Sequence, residues 1–207
     1  MANAHVGKTP IRPLGRPRDE ACRQRIRNAA LELLEEAGFA DVTCDAIAER
    51  SGSSKATIYR WWPNKTAVII DAFVGCMTPE LPLRETATLE EYVRLHIRLF
   101  AKALGGRNGR LLAAVIAAAQ NDPEVEAAFL NHWIKPRRAV SRKMLLKFRA
   151  SGRLPAEAEV EQVLDVMYGP LYFLLLIRHT RPTPVYADSL ASLLLHGLIP
   201  RGQRRST

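Results

Sequence analysis

Apolar residues return at three- and four-residue spacing through most of the chain. Ile26, Ala30, Leu33, Leu34 and Ala37 form one such stripe, with Asp19 placed to cap it and Gly38-Phe39 to stop it, which predicts a first helix. Thr43 is positioned to cap a second helix through Arg50. Ser51-Gly52-Ser53 makes a turn, Ser54 caps a third helix to about Trp61, and Asn64 caps a fourth that continues to about Gly75. Pro79 and Pro82 mark Met77 to Ala87 as a linker. Further helices are predicted near Leu89 to Leu104, Gly109 to Asn121, Pro123 to Ser151 with a kink near Pro136, Ala156 to Thr180, and Pro184 to Ile199. No alternating strand pattern competes with them, so the predicted fold class is all-α.

The second and third predicted helices are short and separated by a turn carrying glycine. Small Ala48 stands four residues before Gly52 and apolar Ile58 six after it. A small side chain lets two helices approach, a glycine can take positive φ, and an isoleucine can pack between them, so the spacing fits a helix-turn-helix. The predicted organisation is a basic disordered arm over residues 1–18, a helix-turn-helix domain over 19–76, and a further helical domain over 77–207.

Charge sharpens this picture. The 207 residues carry 30 Lys and Arg against 21 Asp and Glu, a net +9 that attracts polyanions such as nucleic acid or an anionic membrane surface. The arm holds Lys8, Arg12, Arg16 and Arg18 without an acid, among prolines and glycines that oppose a packed core. A second acid-free basic stretch runs from Lys135 to Arg153. It reads either as a solvated helix face or as help in binding an anionic effector or distant DNA. Cys22, Cys44 and Cys76 have neither disulfide-framework nor zinc-ligand spacing, so no metal or cofactor is expected. Val163 to Ile177, the longest nearly apolar run, contains Asp165, Gly169 and Pro170 and is too short to span a bilayer, so it is read as a buried helix. The charges and prolines near residue 1 do not match a signal peptide, and a cytoplasmic location is expected.

The segment TCDAIAERSGSSKATIYRWWPNKTAVIIDAF, Thr43 to Phe73, resembles the DNA-binding signature of the tetracycline-repressor (TetR) family. That resemblance implies an all-α homodimer on a palindromic double-stranded operator, released when a small-molecule effector enters the C-terminal domain. Residue by residue, it implies that Thr43 caps the second helix and touches a phosphate, that the Tyr59 hydroxyl reaches the backbone, and that Lys65 meets a phosphate. Ser54, Lys55, Ala56, Thr57 and Arg60 fall where the family draws its base and phosphate contacts. Ser53 and Trp61 depart from the family pattern, which commonly has an apolar and a basic residue there. Independently, Arg can read guanine bidentately in the major groove, helix N-termini favour phosphate, and Arg16-Pro17-Arg18 can enter an adjacent minor groove.

For the C-terminal part, His96, Phe100, Trp133, Met144, Phe148, Met167 and Tyr172 are candidate ligand-cavity residues, with ordinary core packing as their alternative. The apolar residues of the last two helices surround most of each helix. Leu171, Leu175, Leu190, Leu194 and Leu198 are therefore the expected four-helix dimer interface, against a monomer in which both helices are central. Neither HExxH nor GxSxG occurs, the histidines are scattered, and Gly105-Gly106 with Gly109 follows a helix rather than a strand, so no enzymatic activity is expected. Two rivals to an operator-binding regulator stay open: a constitutive, sequence-independent DNA-binding protein, and a catalytic helical protein with an unrecognised acid–base constellation.

Overall fold

A computed structural model describes residues 16–82 and 84–197. No strand occurs among them. The helices are α1 (Arg16–Asp41), α2 (Cys44–Ser51), α3 (Lys55–Trp61), α4 (Lys65–Met77), α5 (Leu89–Ala103), α6 (Gly106–Ala119), α7 (Pro123–Phe129), α8 (Lys135–Ala150), α9 (Val160–Leu176) and α10 (Pro184–His196). Most of the expected arm lies outside the described residues. The backbone at Arg16 and Arg18 is already helical, which corrects the expected start after Asp19.

The expected caps form. Thr43 Oγ1 accepts from Ala46 N at 3.1 Å, Ser54 Oγ from Thr57 N at 3.1 Å, and Asn64 Oδ1 from Ala67 N at 2.9 Å, each satisfying a helix-start donor. Gly52 ends α2 at φ 63°, ψ 32°. Its N–H donates to Glu49 O and that of Ser53 donates to Ala48 O, a closure that needs the left-handed conformation a glycine adopts without steric cost. Gly38, at φ 76° and ψ 170°, breaks α1 where a stop is expected, and Phe39 turns into the core behind it. Ala37, expected in the apolar stripe, is exposed; Ala29 and Leu31 join Ile26, Ala30 and Leu34 in the core instead.

Ile58, fully buried, carries α3 into the common core, where α3 packs on α2. A polar knot then ties α1 to α4. Asp71 on α4 accepts from Arg27 at 2.9 and 3.2 Å, from Arg23 at 3.4 Å and from Trp62 Nε1 at 2.9 Å. Burial alone would raise the Asp71 pKa, but the Arg27 hydrogen bonds and charge, with Trp62 and Arg23, outweigh it and hold the carboxyl below its ordinary range. A depressed carboxylate contributes stability that is present above the unfolded pKa and lost as pH falls through the folded one. Asp71→Asn is therefore expected to lower unfolding free energy by roughly 1 to 3 kcal/mol at neutral pH. In urea titrations the gap from wild type should close as pH falls below 3.8; a gap independent of pH would remove the charge from this account.

In the C-terminal half, α5 is the central helix, with α9 and α10 packed on it. A capping box of Thr88 and Glu91 starts α5, and Thr183 caps α10. The single helix expected from Pro123 to Ser151 is instead α7, a π turn over Leu130–Ile134, and α8. Pro136 has no N–H to return to the preceding turn, and the backbone widens just before it rather than kinking at it. α9 and α10 are shorter than expected. Gly197, at φ 74°, ends α10, and Leu198 lies outside the described residues.

Leu171 is fully buried and Leu190 nearly so, both against their own chain, which corrects their expected place on a dimer face; Leu175 and Leu194 are half-buried. The outward face of these helices is formed by Val166 and Phe173 on α9, Ile177 just after its last residue, and Val185 and Leu193 on α10, all exposed.

Candidate DNA interface and effector cavity

The surface of the N-terminal helices presents one continuous polar face. Thr43, Ser54, Lys55, Ala56, Tyr59 and Arg60 are exposed, Thr57 and Lys65 half-buried, and Ile58 points the opposite way into the core. Positions 55, 56, 59 and 60 share one side of α3 because 3.6 residues complete a turn. Tyr59 is 53% exposed, unusual for a large aromatic. Contact with Cys44, at the start of α2, is the main influence raising its phenol pKa, so it stays a neutral hydroxyl donor at neutral pH.

The cations on this face are held in place. Lys55 Nζ lies 2.6 Å from Asp45 Oδ1, and the Arg60 guanidinium lies 4.8 Å from the centre of the Trp61 ring. Trp61, the departure from the family pattern, is thus a platform under Arg60. Lys65 donates to the carbonyls of Phe39 at 3.3 Å and Ala40 at 2.9 Å, closing the C-terminal end of α1. Arg16 and Arg18 stand in the first turn of α1.

A second site lies between α5, the π turn, α8 and α9. A cavity of about 80 Å³ is lined there by His96, Phe100, Trp133 and Tyr172, together with Tyr168 and Arg137. Of the other expected ligand residues, Met144 lines a separate groove beside Arg84 and Lys147, while Phe148 and Met167 are spent in the core. Arg137 and Tyr168 escape a reading by apolar periodicity: Arg137 sits inside the basic stretch, and Tyr168 stands one turn before Tyr172. The signal for Arg137 is its place four residues after Trp133, the spacing at which side chains on one helix face meet.

Aromatic rings make the walls. Phe100 meets Tyr168 at 5.3 Å and Tyr172 at 5.2 Å between centroids, and Tyr92 stacks on His96 at 4.2 Å. Burial lowers the His96 pKa, only partly offset by the Arg84 carbonyl 3.2 Å from Nε2, so the ring is neutral at pH 7. Tyr172 is pushed up to about 12 by burial.

The two sites are joined through α4. Phe73 on α4 meets Trp133 edge-to-face at 5.1 Å and Phe129 at 6.2 Å. Cys76 donates to Asn108 at 3.3 Å, and Asn64 to Glu124 at 2.5 Å. Glu35 on α1 accepts from Arg110 and, at 2.8 Å, from Arg107 on α6. Those two arginines, Arg110 foremost, keep its carboxyl below the usual range.

Comparison with known proteins decides the family. Residues 26–72 match the family model of bacterial regulatory proteins of the tetR family, and residues 83–194 match that of the tetracyclin repressor-like C-terminal domain. The chain belongs to the TetR family. This TetR-family protein is 36% identical to the HTH-type transcriptional regulator YdeS of Bacillus subtilis over 89% of its own length and 93% of that protein's. The crystal structure of the TetR family transcription regulator SCO0332 superposes with a TM-score of 0.71 at 29% identity, covering 86% of this chain and 99% of that one. FadR of Bacillus subtilis, solved in complex with stearoyl-CoA, shares the fold with a TM-score of 0.67 at 22% identity, covering 84% and 98%. The protein is a DNA-binding transcriptional regulator with an N-terminal helix-turn-helix and a helical C-terminal domain. No helix among the described residues is long and apolar enough to cross a membrane.

Proposed function

We propose that the protein is a homodimeric repressor that holds a palindromic operator and leaves it when a small molecule enters the cavity at Trp133. Residues 19–76 grip the DNA, with Arg16 and Arg18 of the basic arm beside them. Residues 77–207 carry the effector cavity and the dimer face.

The contact between Trp133 and Phe73 carries this reading. A cavity-wall ring touches α4, and the first residue of α4, Lys65, closes α1 behind the recognition helix α3. An effector shifts the population only by its difference in affinity for the two arrangements. One that favours a displaced Trp133 tilts α4 and changes the spacing of the two α3 helices, which must meet successive major grooves about one DNA turn apart. The stearoyl-CoA held by FadR supports the view that this fold accommodates small molecules.

Selection from random DNA with the purified protein tests the reading directly. A palindromic consensus is the expected result, and sequence-independent binding would replace the regulator with a constitutive DNA-coating protein. Within that experiment the residues have separate roles. Arg60→Ala should relax one operator position at a cost of about 1 to 3 kcal/mol, whereas Tyr59→Phe, which removes a phosphate-reaching hydroxyl, should weaken all sequences alike. An Arg60→Ala consensus identical to wild type would remove Arg60 from base reading.

A further inference from the structure

Arg137 is the one arginine in the cavity wall whose charge no carboxylate answers among the described residues. Its neighbour Arg138 also reaches the wall but is engaged by Glu161 and, at 2.7 Å, by Asp165. Among the described residues Arg137 donates only to the Leu81 carbonyl, at 2.8 Å, and lies 4.8 Å from the centre of the Trp133 ring. Among the described residues no Asp or Glu lines the cavity. A guanidinium has five N–H donors in a planar fork, and the Leu81 carbonyl takes only the one at Nη2 of this cavity-lining arginine.

We infer that the cavity takes an anionic effector, a compact carboxylate with an aryl or short alkyl body, whose charge is received by Arg137. This deepens the effector-release reading and rests on it. The rest of the lining fits such a molecule. Leu99, Phe100, Trp133, Ile134 and Tyr172 offer apolar and aromatic surface for the body, while the Ser141 hydroxyl beside Tyr168 supplies further polarity near the charge. Burial lowers the Arg137 pKa, and the charge that the Tyr168, Tyr172 and Tyr92 phenols beside it would carry once ionised offsets this only in part. A bound anion would act in the same direction as the phenols. The cavity's small volume favours a compact ligand, and the carboxylate matches the two-pronged guanidinium geometry.

The test uses the full-length protein with benzoate, phenylacetate and hexanoate, each compared with its neutral amide, and with inorganic phosphate as a bodiless anion. Calorimetry should show at least one acid binding about 10- to 100-fold tighter than its amide, the advantage of a charge-assisted hydrogen bond. Arg137→Gln should level acid and amide, while Arg138→Gln should keep the preference. A role for Arg137 in anchoring Leu81 alone would leave that acid-against-amide ratio unchanged in Arg137→Gln, and so overturn the assignment. So would amides that match the acids on wild type, phosphate that binds as well as the acids, or no acid binding at millimolar concentration. Operator release is measured separately. An acid that binds with the expected preference yet leaves DNA in place refutes release while the anion site stands, and release by a neutral compound that no acid displaces does the reverse.

Discussion

Phe173→Arg is expected to turn the dimer into monomers and to lower operator affinity by about two to four orders of magnitude. Phe173 is 53% exposed, and Val166 on α9 and Ile177 just after its last residue continue its line at intervals of seven and four residues. Val185 and Leu193, two turns apart on α10, extend the patch. Exposed large apolar side chains gathered on two helices that touch mark an interaction site, and a two-fold axis would bring the same residues of a second copy onto them. A buried arginine without a partner would disrupt that interface. Each half-site then loses the high effective concentration that its tethered neighbour provides, which sets the size of the affinity loss. Light scattering and DNA titration on the same preparation would decide the matter: a variant that stays dimeric moves the interface elsewhere, and a monomeric wild type removes it.

Gly109→Ala should be the most destabilising small substitution in the C-terminal domain. An added Cβ would lie 2.2 Å from the Leu104 carbonyl oxygen, 3.1 Å from its carbon and 3.3 Å from Leu175 Cδ1. The first two atoms are backbone at the end of α5 and cannot rotate away, so α6 would have to move off α5. Such overpacking costs roughly 2 to 3 kcal/mol, a fall in melting temperature of about 4 to 12 °C for a chain of this size. Gly75→Ala supplies the contrast. It lies exposed in α4 with nothing within 4 Å of its added Cβ, and the better helix former there should gain about 0.5 to 1 kcal/mol. Equal melting temperatures for the two variants would show that the close approach at Gly109 is not rigid.

The N-terminal helices were legible in the sequence because their determinants are local. Thr43, Gly52, Ser54 and Asn64 each act within four residues of themselves, so caps and turn could be placed without knowing what packs where. The cavity depends on which helices face one another, and periodicity does not report that. Met144, Phe148 and Met167 are large, mainly apolar residues at helical spacing like Phe100 and Tyr172, yet the packing of α5, α8 and α9 spends them elsewhere. The same limit hid the outward face of α9, since Leu171 and Phe173 are equally apolar and only the position of α5 and α6 decides which is covered. Arg137 was hidden among neighbours that really are solvated or paired, such as Lys147 with Glu85 and Arg142 with Glu161.

The π turn at Leu130–Ile134 holds one residue more than the α-helical winding on either side of it requires. It therefore works as a slack link in the helix, where a residue can be gained or lost without moving the flanking helices. Trp133 and Ile134 belong to this link, and Arg137, Arg138 and Ser141 follow on the next two turns of the cavity wall. A one-residue change of length here would alter which side chains of the link itself, at Trp133 and Ile134, face the cavity, while α8 keeps its place and α7 its packing on α4. The chain thus has a place where its chemical selectivity can be redrawn by an insertion or deletion, leaving the machinery that touches DNA intact.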